Sequence, residues 1–142
     1  MRFWDSSAVV PLIVSENASA WARRALRSDS HGLIWALTPV EVRSALARRL
    51  RDGALTQSKY QRACSRADRL FQALPQIVAL EPVCARALRL LDTHPMRAAD
   101  ALQLAAALVA TEERPADLPF MTLDHRLADA ARKEGFPVEI AS

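Results

Sequence analysis

The feature that most constrains this chain is an alternation of short apolar runs with longer segments of helical spacing. Arg2–Trp4, Leu33–Leu37, Ile77–Leu80, Phe120–Thr122 and Val138–Ile140 read as strands, each three to five residues long. A turn and short helix around Pro11 fill Ser6–Val14. Further helices are expected over Ala18–Leu26, Thr38–Arg51, from Thr56 or Ser58 to Leu74, and over Pro82–Leu91, Arg97–Thr111 and Asp124–Glu134. Thr38 reads as an N-cap, Pro39 as the first helical residue and Glu41 as the partner in a capping box. Asp52-Gly53, Pro75 and Gly135 read as helix stops. Strands separated by helices pair in parallel, so the expected fold is one α/β domain over residues 1–142. It is an α/β/α layered, Rossmann-like sandwich with a central parallel sheet of four to five short strands.

In such sheets ligands bind outside the carboxyl ends of the strands. Four acids fall there: Asp5 after the first strand, Glu41 in the first turn after the second, Asp100 early in the helix Arg97–Thr111, and Asp124 after the fourth. Each has a local alternative. Asp5 and Asp124 are good helix N-caps, and Glu41 completes a capping box. Asp100 is harder to explain locally, because Ala98, Ala99, Ala101, Leu102, Leu104 and Ala105 surround it with apolar side chains. Four anions at one edge repel and hold their protons more tightly. A divalent cation removes that cost, and Mg²⁺ or Mn²⁺ prefers oxygen ligands. Metal-assisted phosphodiester hydrolysis is the chemistry this suggests.

Composition narrows the rest. With 51% hydrophobic and 25% charged residues in 142, the chain can bury a core. The longest apolar run, Ala101–Ala110, is interrupted by Gln103 and falls well short of the roughly 20 residues of a spanning helix. No signal peptide is read, and a cytoplasmic location is expected. Cys64 and Cys84 are read as unrelated, buried, reduced thiols. With His31, His94 and His125 scattered, a zinc site has no support. The net charge is +3, and seventeen of the nineteen basic residues are arginine, which suits a phosphate-bearing partner. Codon bias in a GC-rich genome explains abundant Arg and Ala equally well.

Four segments carry a family resemblance. Phe3-Trp4-Asp5-Ser6-Ser7-Ala8-Val9-Val10 resembles the opening strand and acidic turn of PIN domains. Glu41 with Val42, Ala45 and Leu46 resembles their second acidic position. Arg97-Ala98-Ala99-Asp100-Ala101-Leu102-Gln103-Leu104-Ala105 resembles the third, and Met121-Thr122-Leu123-Asp124-His125-Arg126-Leu127-Ala128 the fourth. Order and separation match along essentially the whole chain, at a length close to that of VapC-like toxins of type II toxin–antitoxin pairs. The resemblance implies a Mg²⁺- or Mn²⁺-dependent endoribonuclease that leaves a 3′-hydroxyl and a 5′-phosphate. It also implies a small antitoxin partner and a toxin homodimer. Asp5, Glu41 and Asp100 would be the main metal-site acids, and Asp124 would complete the set. Many members have threonine after the first acid; Ser6 keeps the hydroxyl.

Ser7 and Thr122 are candidates for orienting carboxylates, with local capping as the alternative. Arg97 is the best candidate for a phosphate contact near the metal. Arg43, Arg48, Arg49 and Arg51 share the helix of Glu41, and Arg62, Arg66 and Arg69 share one face of the next; solvated surface explains most of them. Trp4, Trp21 and Trp35 read as core. Leu46, Leu50, Leu70, Phe71 and Leu74 line either a groove for a helical partner or simply the core. The main rival is a non-catalytic PIN-like binding module. A DNA nuclease of related architecture is another. A phospho-acceptor receiver domain fits poorly, because Asp5 stands alone and only Lys59 and Lys133 exist.

Overall fold

The computed structural model describes residues 1–142. In chain order the elements are β1 (Arg2–Trp4), α1 (Ser6–Ile13), α2 (Ser19–Ser28), β2 (Gly32–Trp35), α3 (Thr38–Arg51), α4 (Gln57–Ala73) and β3 (Gln76–Ile77). They continue with α5 (Leu80–Thr93), α6 (Ala98–Ala110), β4 (Phe120–Met121), α7 (His125–Lys133) and β5 (Val138–Glu139). The five strands form one sheet in the order β3-β2-β1-β4-β5, and every pairing is parallel. No helix is long and apolar enough to cross a membrane.

Successive side chains on a strand point to opposite faces, and both faces are apolar here. Phe3, Leu33, Trp35 and Phe120 pack with α5, α6 and α7. Trp4, Ile34 and Met121 pack with the α1–α4 layer. The rings of Phe3 and Phe120 stack at 5.3 Å across the β1–β4 pair, and Phe136 closes on Phe120 at 5.5 Å. Alanines crowd α6: Ala101, Ala105, Ala106 and Ala107 are all fully buried, which lets this helix lie close to the sheet and to α5.

Several boundaries move from the sequence reading. β3 covers only Gln76–Ile77, because as an edge strand it pairs just through Ile34↔Gln76 and Trp35↔Ile77. α5 then starts at Leu80, and Pro82 sits in its first turn, where a missing N–H leaves no helical bond unmade. Thr38 is not an N-cap: it is the first helical residue, fully buried, with its hydroxyl accepting from Gln103 Nε2 at 3.0 Å. The capping box is therefore absent, and Glu41 is released for other partners. Cys64 is buried as expected, but Cys84 is exposed on α5. Trp21 is only half-buried. Leu46 and Leu74 belong to the core, the second of the two readings, while Phe71 does line the groove between α3 and α4, together with Pro39, Val40, Arg43, Ala47 and Asp68.

Gly32 marks the tightest backbone approach. A Cβ at this position would stand 2.7 Å from Leu74 Cδ2 and 3.3 Å from the Trp4 ring. Gly32→Ala is expected to lose about 1–2 kcal/mol of stability through overpacking between β2 and the α4 end, measured by urea unfolding.

Candidate active site

The chain runs from β1 outward to β2 and β3, then returns through α5 and α6 to β4 on the other side of β1. The strand order therefore reverses between β1 and β4, where such sheets open a crevice at their carboxyl ends. Asp5 leaves β1 there, and Thr122 to Asp124 leave β4 beside it; Asp5 N donates to Met121 O at 3.0 Å. α3 brings Glu41 to the same edge, and α6 brings Asp100 in its first turn.

Asp5 is 3% exposed, the most buried of the four acids. Its Oδ2 accepts from the Ser7 hydroxyl, from Thr122 Oγ1 at 2.9 Å and from the Ser7 amide at 3.3 Å. Its Oδ1 receives only a long contact from Ser6, at 3.4 Å. Ser7 Oγ also lies 3.2 Å from Thr122 Oγ1 and accepts from Leu123 N at 2.9 Å, so the loop after β4 is tied to the loop after β1. Asp124 caps α7 by accepting from Leu127 N at 2.9 Å through Oδ1. Asp5 likewise caps α1. Local capping and a place in the acidic edge thus coexist for both residues.

Glu41 is fixed on both oxygens. Oε2 accepts from Ser6 Oγ at 2.9 Å, and Oε1 from Gln103 Nε2 at 3.1 Å. Ser6 therefore bridges the first and second acids, and Gln103 holds the second from α6. Neither stands out as a site residue from sequence. A signal for Gln103 exists: it is the one polar break in the run Ala101–Ala110, one turn beyond Asp100. For Ser6 the signal is its place next to Asp5 and the hydroxyl it keeps where many PIN domains have threonine. Its partner lies 35 positions away, and only the fold brings the two together.

The electrostatics follow from burial and crowding. Burial pushes the Asp5 carboxyl up, against the pull of the hydroxyls and amides around it. Glu41 is pushed up to about 7, first by burial and then by the charges of Asp5 and Asp100, although Ser6 and Gln103 favour its ionised form. Asp100 is pushed up to about 6, by burial first and then by Asp5 and Asp124, with the Arg97 guanidinium pulling the other way. The four acids thus form one electrostatic group. No three of the chain's carboxylates, imidazoles or thiols stand together as a ready-made ion cage, however. Asp5 leans on Ser7 and Thr122, and Asp124 on the α7 backbone.

The donor set fits a hard divalent cation. Asp100 carries no side-chain hydrogen-bond donor, Asp5 Oδ1 has only the long Ser6 contact, and Asp124 Oδ2 is free. These are oxygen ligands of the kind Mg²⁺ and Mn²⁺ take. Asp100 and Asp124 face a cleft of about 960 Å³, which Arg97, His125 and Arg126 also line. Ser6→Ala would leave Glu41 Oε2 without its donor and loosen the link to Asp5. Affinity for a divalent ion, read by calorimetric titration, is expected to fall about tenfold with the melting temperature of the metal-free protein nearly unchanged, as for other partners of site carboxylates.

These features define a three-layer α/β domain with an acidic, oxygen-donor cleft at the switch point of a parallel sheet. The chain belongs to the PIN domain family, whose sequence profile matches residues 2–133. PIN domains are in general nucleases that depend on divalent metal. No curated protein sequence matches the chain. Two similar solved structures support the fold. One is a chain of FitAB bound to IR36 DNA fragment, at 17% identity and a TM-score of 0.69, covering 99% of this chain and 94% of that one. The other is from FitAcB of Neisseria gonorrhoeae, at 18% identity and 0.66, covering 100% and 97%.

Proposed function

We propose that this chain is a Mg²⁺- or Mn²⁺-dependent endoribonuclease of the VapC-like toxin kind, acting in the cytoplasm as a homodimer with a cognate antitoxin. The observation that supports it most is Asp100. It stands in an open cleft within the field of Asp5 and Asp124, with its carboxyl raised to about 6 and no side chain donating to it. An acid held in that state gains from a divalent cation more than from any group of the chain itself.

A metal there would lower the pKa of an attacking water and stabilise charge on the phosphate. The chain's own groups supply the rest. Asp5, Asp100, Glu41 and Asp124 would hold the cation. Ser7, Thr122, Ser6 and Gln103 keep Asp5 and Glu41 in one orientation. Arg97, one turn before Asp100 and at the cleft wall, is suited to a phosphate oxygen. RNA would be selected through unpaired segments and 2′-hydroxyl contacts. An antitoxin partner is supported by the two similar structures, both of Fit assemblies, and metal dependence by the family.

The test is cleavage of a mixed structured RNA pool by partner-free protein with Mg²⁺, Mn²⁺ or EDTA, beside matched DNA. Metal-dependent RNA cleavage is expected. Cleavage of DNA alone would replace RNA as substrate. No cleavage, with no rise in melting temperature on adding metal, would favour a non-catalytic PIN-like module.

A further inference from the structure

The acidic cleft does not end at the carboxylates. A second cavity of about 390 Å³ lies beyond it, lined by His94, Pro95, Arg126, Asp129, Ala130 and Lys133. The two share Pro95 and Arg126 in their walls, so Arg126 stands at the junction. One wall is a single face of α7, since positions 126, 129, 130 and 133 follow helical spacing. The other is the turn between α5 and α6.

The charges in this second cavity are unequal in availability. Asp129 is paired with Arg132 at 3.0 Å. His94 is held by Glu134 at 2.6 Å, and Glu134 is held in turn by Arg86 at 3.2 Å. Arg126 and Lys133 are exposed and enter no ion pair. They stand two turns apart on α7, roughly 10 Å along its axis. That exceeds one nucleotide step, about 3.4 Å of rise per strand in duplex DNA, so the two cations can each take a separate phosphate. Neither cavity is lined by Phe, Tyr or Trp; the one aromatic ring in the second cavity is His94, already engaged by Glu134.

We propose that the α7 cavity is a polynucleotide-backbone subsite, in which Arg126 and Lys133 bind two different phosphates of single-stranded RNA leaving the acidic cleft. This rests on the nuclease reading above and adds the path of the strand to it. With two unpaired cations and its one aromatic ring, His94, held by Glu134, the subsite reads backbone charge and not base identity. It also sets a polarity for the cleft. Anionic phosphates would be repelled by the bare carboxylates at one end and attracted at the other, so the strand is held even before metal enters.

The test is fluorescence anisotropy of a short labelled single-stranded RNA in EDTA, across a salt series, with the intact protein. Arg126→Ala with Lys133→Ala is compared with wild type, and with Arg89→Ala on the α5 surface as a control for charge alone. Each lost phosphate contact removes about 0.7 from the slope of log affinity against log salt, so the pair is expected to weaken binding roughly 25-fold at about 0.1 M salt. The control is expected to bind as wild type. Circular dichroism checks the fold, and single Lys133→Gln keeps the test open if the pair fails to fold. Wild-type affinity and slope in the folded double variant, with metal-dependent cleavage intact, would overturn the subsite and leave the nuclease reading standing. A fall of about fivefold in the single-charge α5 control, half the pair's effect on the logarithmic scale, would also overturn it, by showing a diffuse charge effect. Wild-type protein that neither binds nor cleaves RNA would overturn both.

Discussion

Asp100→Asn is expected to remove metal-dependent RNA cleavage while leaving the fold intact. Asparagine keeps the shape of the side chain and one carbonyl oxygen but loses the charge that a divalent ion needs. Changing a group that merely supports a metal ligand costs roughly 10–100-fold, so replacing a ligand is expected to cost at least about a hundredfold. The fold should not suffer, because Asp100 is raised by burial and by Asp5 and Asp124 and so is a strained anion in the absence of metal. Its removal relieves repulsion. The variant is expected to melt slightly higher than wild type in EDTA at neutral pH and to lose the upward shift that Mg²⁺ or Mn²⁺ gives wild type. A variant that cleaves like wild type would take Asp100 out of the reaction.

The second large effect concerns stability against pH. Asp5, Glu41 and Asp100 all have carboxyls raised in the folded protein, Glu41 to about 7 and Asp100 to about 6. A raised carboxyl means that the folded state binds a proton the unfolded state has already lost. The stabilisation is full below the unfolded values, near pH 4, and is lost as pH rises through the folded values. Metal-free protein is therefore expected to be more stable near pH 4.5 than near pH 7.5 as far as this cluster is concerned. Each tenfold gain in proton affinity on folding corresponds to about 1.4 kcal/mol, but the three groups act on one another and water reaches Glu41 and Asp100. The net loss is then on the order of 3 kcal/mol, or about 10 °C in melting temperature for a domain of this size. Divalent metal is expected to restore most of it at pH 7.5 and little at pH 4.5, where protons compete for the same oxygens. Differential scanning calorimetry with and without metal measures both. A melting temperature that rises steadily from pH 4.5 to 7.5 in EDTA would contradict the crowding of these acids.

The layered architecture and the placing of the four acids at one edge of the sheet were legible because they rest on local signals. Apolar runs such as Phe3-Trp4 and Phe120-Met121 mark strands, and in a parallel sheet the residues that follow them reach the ligand-binding edge. What stayed hidden was long-range. The pattern Thr38-x-x-Glu41 carries a capping box on local grounds. The fold overrides it, because Gln103 from α6 takes both the Thr38 hydroxyl and a Glu41 oxygen. Ser6 reads only as a substitute for threonine, since nothing near it in the chain shows that Glu41 lies above it. The edge strand β3 and the start of α5 shifted because Pro82 is equally at home in the first turn of a helix as at its first position. The cavity against α7 was invisible for a further reason: an arginine and a lysine seven residues apart look like ordinary solvated surface until the α5–α6 turn is set opposite them.

The pairing of β1 with β4 has a consequence in time. Phe3 lies beside Phe120, and Asp5 is held by Thr122, 117 positions along the chain. Contacts of such separation form late, because the entropy of closing the intervening chain must be overcome before they contribute anything. While the protein is being made, β1 with its acid emerges first and waits for nearly all the remaining sequence before its neighbour exists. A partial chain carries Asp5 and Glu41 but lacks Thr122, which holds the first of them, and Asp124. The acidic edge is therefore completed only near the end of synthesis, and a chain cut short before Thr122 has no assembled site.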